Sequence, residues 1–301
     1  MRKVISVSLT LLLAMTMGIA FIHCGGDDNG AECPDVCGEG NECCDECPCE
    51  TGTCEDGQCV SGGDCCPSSP AGEYWIDITG SVKDATTAQG VEVAVAAISP
   101  NDALVSDQPT LLSEAVSDAS GDFYLDCYDV TSVALGAVVL ADDDPMDAGA
   151  GDYFPTGTGV AGWETSAEKV CVENAAAFVV PNTMVGLLDQ LADVDSANDG
   201  FVMGLVVSAA GAPVEGAVIK KSMDGGDTWV DLGSVYYPST DVPPNLTDGT
   251  ATSANGSYVI PGSEVSSLSL IHAEKDGMTF DTAQVAGKGG FCFFAMIPEA
   301  S

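Results

Sequence analysis

The chain has 301 residues, with 46 Asp or Glu against 8 Lys or Arg and a formal net charge of −38. Its one arginine is Arg2 and its histidines are His23 and His272. That excludes the cationic contacts of nucleic-acid binding and bidentate guanidinium recognition of phosphate or carboxylate by the mature chain, and it disfavours His-dependent metal or triad chemistry. A hydrophobic content of 46% argues for a folded bulk, so the acidity reads as solubility, mutual repulsion or affinity for divalent cations.

Arg2 and Lys3 precede an uncharged apolar run from Val4 to Ile22, and Cys24 then opens Gly25-Gly26-Asp27-Asp28-Asn29-Gly30. A short cationic start before an apolar core predicts a signal peptide over 1–23. The run is marginal against the roughly 20 residues that a membrane span needs. The cysteine that closes the core resembles a bacterial lipoprotein signal. That resemblance implies lipidation of Cys24, a tether over 24–32, and an exported protein at the outer membrane or cell surface, with the membrane as partner through the lipid. Phe21-Ile22-His23 departs from the Leu at −3 and the small residue at −1 that such signals usually carry. Cleavage after Gly18-Ile19-Ala20 is the alternative and yields a secreted soluble chain. Loss of residues 1–23 takes Arg2 and Lys3, leaving six lysines against 46 acids, a net charge of −40.

Residues 33–66 hold Cys33, Cys37, Cys43, Cys44, Cys47, Cys49, Cys54, Cys59, Cys65 and Cys66, with Val36 and Val60 as the only aliphatics. A segment this small and polar buries too little to fold on a core alone. In an exported chain the expectation is a disulfide-rich module, each bridge contributing about 2–4 kcal/mol. The alternative is a thiolate metal site at Cys44, Cys47 and Cys49. The adjacent pairs Cys43-Cys44 and Cys65-Cys66 are expected to bond elsewhere, since adjacent cysteines close a strained ring. Cys127 and Cys171 are further disulfide candidates, expected to bridge within the domain that follows. With Cys24 lipidated, thirteen of the fourteen cysteines remain, an odd number that leaves a thiol free. Cys292, in Phe291-Cys292-Phe293-Phe294, has the look of a buried thiol on a strand.

After the linker Pro67–Gly72, apolar and polar residues alternate with the period of strands. Ile76-Asp77-Ile78, Gly90-Val91-Glu92-Val93, Asp122-Phe123-Tyr124-Leu125 and Leu135–Leu140 are separated by turn residues. From Thr183 to Ala192 the spacing predicts one short helix. The strand pattern then recurs. Gly204-Leu205-Val206 through Pro213-Val214-Glu215-Gly216-Ala217-Val218 parallels Gly80-Ser81-Val82 through Gly90-Val91-Glu92-Val93. Thr252–Ile260 parallels Ser117–Leu125, with Gly256 and Gly121 where a tight hairpin needs positive φ.

A Gly-x-Val strand, a Gly-Ala-Val strand and an Asp/Asn-x-Gly-x-aromatic hairpin resemble carboxypeptidase regulatory-like domains. These are transthyretin-like, immunoglobulin-type sandwiches akin to the repeats of bacterial surface adhesins. The resemblance implies an all-β fold of two tandem β-sandwiches, over 74–181 and 200–301, with a helix and linker over 182–199. It also implies no catalytic residue: a structural or adhesive module that displays a surface to a protein or carbohydrate ligand.

Three motifs carry possible chemistry. Ser222-Met223-Asp224-Gly225-Gly226-Asp227-Thr228-Trp229 matches the Asp-box of sialidase-like propellers once only, without the arginines those enzymes use. It is therefore expected to be a hairpin capped by Asp224, with Trp229 packed inward. Asp193, Asp195 and Asp199 in a Gly200-terminated loop are a candidate calcium site, although Ala197 and Val206 break the EF-hand pattern; the alternative function they would carry is calcium-dependent binding of a carbohydrate or protein through the acidic loops. The run Asp142-Asp143-Asp144 with Asp147 and Asp152 is a looser one. No cofactor besides possible calcium is expected. Finally, Lys83 and Asn174 suggest the Lys–Asn isopeptide bond of adhesin sandwiches, with a solvent-facing Lys83 as the simpler expectation.

Overall fold

The structure, a computed structural model, describes the backbone of 52–55 and 58–61 and most of 73–300. Residues 1–51, 56–57, 62–72, 107–108, 132, 134–136, 144–150, 161–168, 193, 223, 240–245, 248–249, 266–267 and 301 lie outside the described residues. The signal peptide, Cys24, the tether, most of the cysteine module, Asp144, Asp147 and Asp193 therefore lie outside them.

The fold is almost wholly β, and it is built twice over. In the first repeat, β3 (Trp75–Asp84) runs antiparallel to β6 (Asp122–Asp129) and parallel to β10 (Lys169–Pro181). In the second, β11 (Phe201–Val207) runs antiparallel to β16 (Ser257–Pro261) and parallel to β19 (Cys292–Pro298). The local bonds repeat with the strands. Val82 N–H donates to Gly121 O and Val91 N–H to Val82 O. Likewise, Val206 N–H donates to Gly256 O and Val214 N–H to Val206 O. Ser117 and Thr252 are the matching buried hydroxyls. Ser117 Oγ donates to Val91 O and accepts from Val93 N–H, while Thr252 Oγ1 donates to Val214 O and accepts from Ala217 N–H. Gly121 (φ 89°) and Gly256 (φ 67°) take the left-handed turn conformation, and Phe123 and Tyr258 after them are buried. The similarity of the two sequence stretches is thus a similarity of hydrogen-bonding duties.

Each repeat sets a second sheet over the first. In the first repeat that sheet holds β4 (Ala94–Ile98), β5 (Leu111–Val116), β7 (Ala137–Asp142) and β9 (Thr156–Val160), in the order β9-β7-β4-β5. A short helix α1 (Pro100–Val105) follows β4. In the second repeat the order is β13-β12-β17-β18, from β12 (Val218–Ser222), β13 (Trp229–Asp231), β17 (Ser269–Glu274) and β18 (Thr282–Val285).

The two repeats are not beads on a string. Strand β19 also pairs in parallel with β9, with Cys292, Phe293 and Phe294 opposite Thr156, Gly157 and Thr158. One seven-stranded sheet, β16-β11-β19-β9-β7-β4-β5, therefore runs through both. Its two faces are covered by different neighbours. On one face, Val95, Ala97, Val139 and Ala141 pack against Ile76, Ile78, Leu125 and Val179 of the β6-β3-β10 sheet. On the other, Val202, Tyr258, Phe293 and Ile297 pack against Ile219 and Ile271 of the outer sheet, and Val138 and Leu140 join that core. A third core lies beside the first. There α2 (Asn182–Leu191) sets Val185 and Leu188 against Phe201, Met203, Phe294 and Cys292. The ring of Phe178, from β10, stacks on Phe294 with centroids 3.9 Å apart.

Burial on both faces explains the strand sequences. All six residues of β7 and all seven of β11 are buried, so apart from Asp142 at the end of β7 they read as continuous runs without polar alternation, as strands covered on both sides do. Gly204 is needed where β11 passes Tyr258 and Ala295: a Cβ there would run into the Ala295 carbonyl and the Tyr258 ring, whose hydroxyl donates to Ala295 O at 2.8 Å. Because the sheet is shared, chemical denaturation of the full chain is expected to show one transition for both repeats. Phe294→Ala should lower its free energy by about 3–5 kcal/mol, measured from the urea midpoint and slope. Two separated transitions would contradict this.

Candidate functional site: acidic turns and an aromatic sheet face

Among the described residues, several acidic side chains hold turns. Asp84 Oδ1 accepts from Thr86 N–H at 2.7 Å and Thr87 N–H at 3.0 Å, and Asp118 Oδ1 accepts from Ser120 and Asp122 N–H. Asp143 accepts from the Asp152 and Tyr153 amides at 2.6 and 3.1 Å, while Asp142 is fully buried. A carboxylate that receives backbone N–H groups supplies a turn with the acceptors it lacks.

The calcium candidates follow the same rule. Asp195 accepts from the Asn198 amide at 3.1 Å, and both its oxygens accept from Asn198 Nδ2, at 2.9 and 2.8 Å. Asp189, on α2, takes Ser196 N–H and Oγ in the same loop. Asp199 is exposed, and its amide donates to Asp195 O. Among the described residues no three His, Cys, Asp or Glu side chains are grouped to hold a metal, and Asp193 lies outside them.

The Asp-box forms the β12–β13 hairpin. Asp224 Oδ1 accepts from Thr228 N–H at 2.6 Å, and Ser222 Oγ accepts from Gly226 N–H at 2.6 Å. Its bonds to Thr228 hold the Asp224 carboxyl below its usual range. Trp229, however, does not pack inward as the sequence suggests. Ser222 is opposite Trp229 and Lys220 is opposite both Asp231 and His272. Ile219, Ile271 and Ala273 fill the core, so by alternation His272 and Trp229 share the outer face. Their rings stack at 3.8 Å and 11°. Lys220 pairs with Asp231 and lies 3.7 Å from Glu274, which is 3.5 Å from His272 Nε2. Burial lowers the His272 pKa more than Glu274 raises it. The sequence signal for this face is the period-two spacing of Lys220 and Ser222 on one arm of the hairpin and of Trp229 and Asp231 on the other.

Among the cysteines, Cys54 and Cys59 stand opposite each other in the hairpin of β1 (Gly52–Glu55) and β2 (Gln58–Ser61). Cys127 lies on β6 and Cys171 on β10, both half-buried and both disulfide-bonded. Cys292 is a free, fully buried thiol. Lys83 is opposite Phe178, four residues beyond Asn174 on β10. About 13 Å of strand separates the two positions, so no isopeptide pair is formed. Asn174 instead sits at a bulge with φ 58°.

Asp77 is the unusual acid. It lies between Ile76 and Ile78, which face the first core, yet it is only 8% exposed. Burial, then the neighbouring Asp126 and Glu173 charges, raise its carboxyl pKa against the bonds from its own amide and Tyr124.

No protein-family model matches the chain, and no curated protein matches it. Among solved structures the chain is similar to the shaft pilin SpaA of Lactobacillus rhamnosus GG, with 12% identity over 76% of this chain and 98% of that one (TM-score 0.21). It is also similar to the TIE protein of Bacillus anthracis, with 10% identity over 76% and 34% (TM-score 0.22). For GBS52, the minor pilin of Streptococcus agalactiae, identity is 11% over 75% and 95% (TM-score 0.23). Overlaps this low carry no weight for fold or function.

Because a folded carboxyl held above its unfolded value binds a proton that the unfolded chain has released, stability falls as pH rises through that window. Asp77→Asn is therefore expected to raise the denaturation midpoint at pH 7, with the gain shrinking as pH falls through the carboxylate range. A destabilised Asn variant at pH 7 would contradict it. Since Asn198 already occupies both Asp195 oxygens, calcium and chelator should give the same melting temperature. A clear rise with calcium would reinstate the metal site.

Proposed function

We propose that this chain is an exported, non-catalytic surface protein, lipid-anchored through Cys24, whose paired sandwiches display an adhesive face. What supports the adhesive reading is the outward Trp229–His272 stack on β13 and β17, rimmed by Lys220, Asp231 and Glu274. A flat aromatic face ringed by hydrogen-bonding groups supplies the area and the directional contacts that recognition needs. Its setting supports a display role as well. The outer sheet lies on a two-faced central sheet, so the face is carried by packed strands rather than by a loop.

The anchor and the ligand are separately testable. The intact mass of the chain from the membrane fraction should match a product beginning at Cys24 with a diacyl or triacyl adduct. A soluble product beginning at Phe21 would overturn the anchor. Purified mature chain applied to panels of glycans and surface proteins should bind at least one, and Trp229→Ala should weaken that binding by tenfold or more, about 1.4 kcal/mol. Binding unaffected by Trp229→Ala would remove this face from the proposal. Turnover on glycoside or peptide substrates would overturn the non-catalytic reading.

A further inference from the structure

Cys127 and Cys171 are both disulfide-bonded, and both stand beside the same residue. In the parallel pairing of β10 with β3, Cys171 is opposite Asp77. On the other side of β3, the register shifts between Ile76↔Tyr128 and Ile78↔Leu125. Two residues of β6, Asp126 and Cys127, therefore face Asp77, the arrangement of a β-bulge. Ile76 and Ile78 point into the first core, so Asp77 points to the sheet's outer face.

The two cysteines do not bridge each other. With β3 between them, two strand spacings come to about 9.5 Å, whereas a disulfide holds its Cα atoms within about 7 Å. Cys292 is free and buried on another sheet. Apart from Cys24, every remaining cysteine of the chain lies between Cys33 and Cys66.

The burial pattern marks the same spot independently. Asp77 is 8% exposed on that outer face, whereas its outward neighbours Tyr124, Asp126 and Glu173 are all exposed. Cover confined to the residue between two bridged cysteines is what a small segment tied down on both sides produces.

We propose that the segment 33–66 is docked on the outer face of the β6-β3-β10 sheet by two disulfides, one to Cys127 and one to Cys171, with Asp77 beneath it. The eight residues from Pro67 to Tyr74 span up to about 27 Å, ample for the chain to turn back from Trp75 over the start of β3. Each bridge forms by thiol–disulfide exchange. Two thiols lose two protons and two electrons to a disulfide-carrying oxidant of the export compartment, whose own S–S bond is reduced to two thiols. The count closes without strain on Cys24. This count rests on the proposed anchor: with Cys24 taken up by lipid and the buried Cys292 set aside, twelve cysteines remain. Two of the module's ten reach the sheet, and eight remain to pair among themselves. The odd thiol that lipidation would leave is thus Cys292.

Peptide mapping of the full mature chain, expressed in an oxidising compartment, alkylated before unfolding and digested unreduced, tests this. The Cys127 and Cys171 peptides should each be found joined to a peptide from 33–66. A Cys127–Cys171 peptide, alkylation of either cysteine, or a bridge to the same peptide of a second chain in a dimer on a non-reducing gel would overturn it. A second measurement uses a protease site placed within 67–72. After cleavage the two fragments should stay together in denaturant until reductant is added, and should separate without reductant in the Cys127→Ser/Cys171→Ser double variant. Separation of the unreduced, unsubstituted chain would overturn the proposal.

Discussion

The pairing of β19 with β9 is the constraint from which the rest of this architecture follows. A sandwich repeat ending in a parallel strand leaves an edge whose unpaired amides and carbonyls invite another chain. Here the edge of the second repeat is occupied by a strand of the first, and the two half-sheets become one. That fusion leaves each face of the long sheet half covered by its own sandwich partner and half in need of another. The outer sheet reaches across to Val138 and Leu140 on one side, and α2 with the end of β10 closes the other. Three cores around one sheet are a consequence of one strand pairing.

Charge sets the second condition. With 8 Lys or Arg against 46 Asp or Glu, the chain cannot neutralise its acids by ion pairing, and among the described residues several of them sit where backbone amides solvate them. Asp84, Asp118, Asp143 and Asp195 each receive main-chain N–H groups in a turn. Three lysines take up defined positions: Lys220 with Asp231 and Glu274, Lys221 with Glu264, and Lys288 against the Ser106 carbonyl and the Phe291 ring. Isolated ion pairs at a surface contribute little, so these lysines matter more for which loops they join than for net stability.

What was legible in the sequence was local. Gly121 and Gly256, the aromatics after them and the Gly-x-Val strands announce a repeated hairpin because turn chemistry depends on a few consecutive residues. The helix near Thr183–Ala192 was legible for the same reason. The shared sheet was not. Strand β9 is Thr156-Gly157-Thr158-Gly159-Val160, which carries no strand signature of its own and is defined by a partner more than 130 residues away. At Gly157 a side chain would meet Phe291 and Val138, so the composition that makes β9 look like a loop is what lets it enter the sheet. Trp229 and Asp77 depart from what their side-chain chemistry suggests, in opposite directions. The tryptophan is found on an outer face and the aspartate on an outer face is buried, because strand register decides direction and the neighbour across the strand decides exposure.

Cys292 ties the covalent and non-covalent halves of the molecule together. It lies on the strand that fuses the repeats, fully buried, with burial raising its pKa far above the usual thiol range. Almost no thiolate exists there to attack a disulfide. Were β19 to leave the sheet, that protection would end, and the chain would carry an active nucleophile alongside its own bridges. The integrity of the fused sheet is therefore also a condition on covalent fidelity. Each opening of the seam exposes the disulfides to internal exchange, and the lifetime of correct pairing is bounded by how seldom the seam opens.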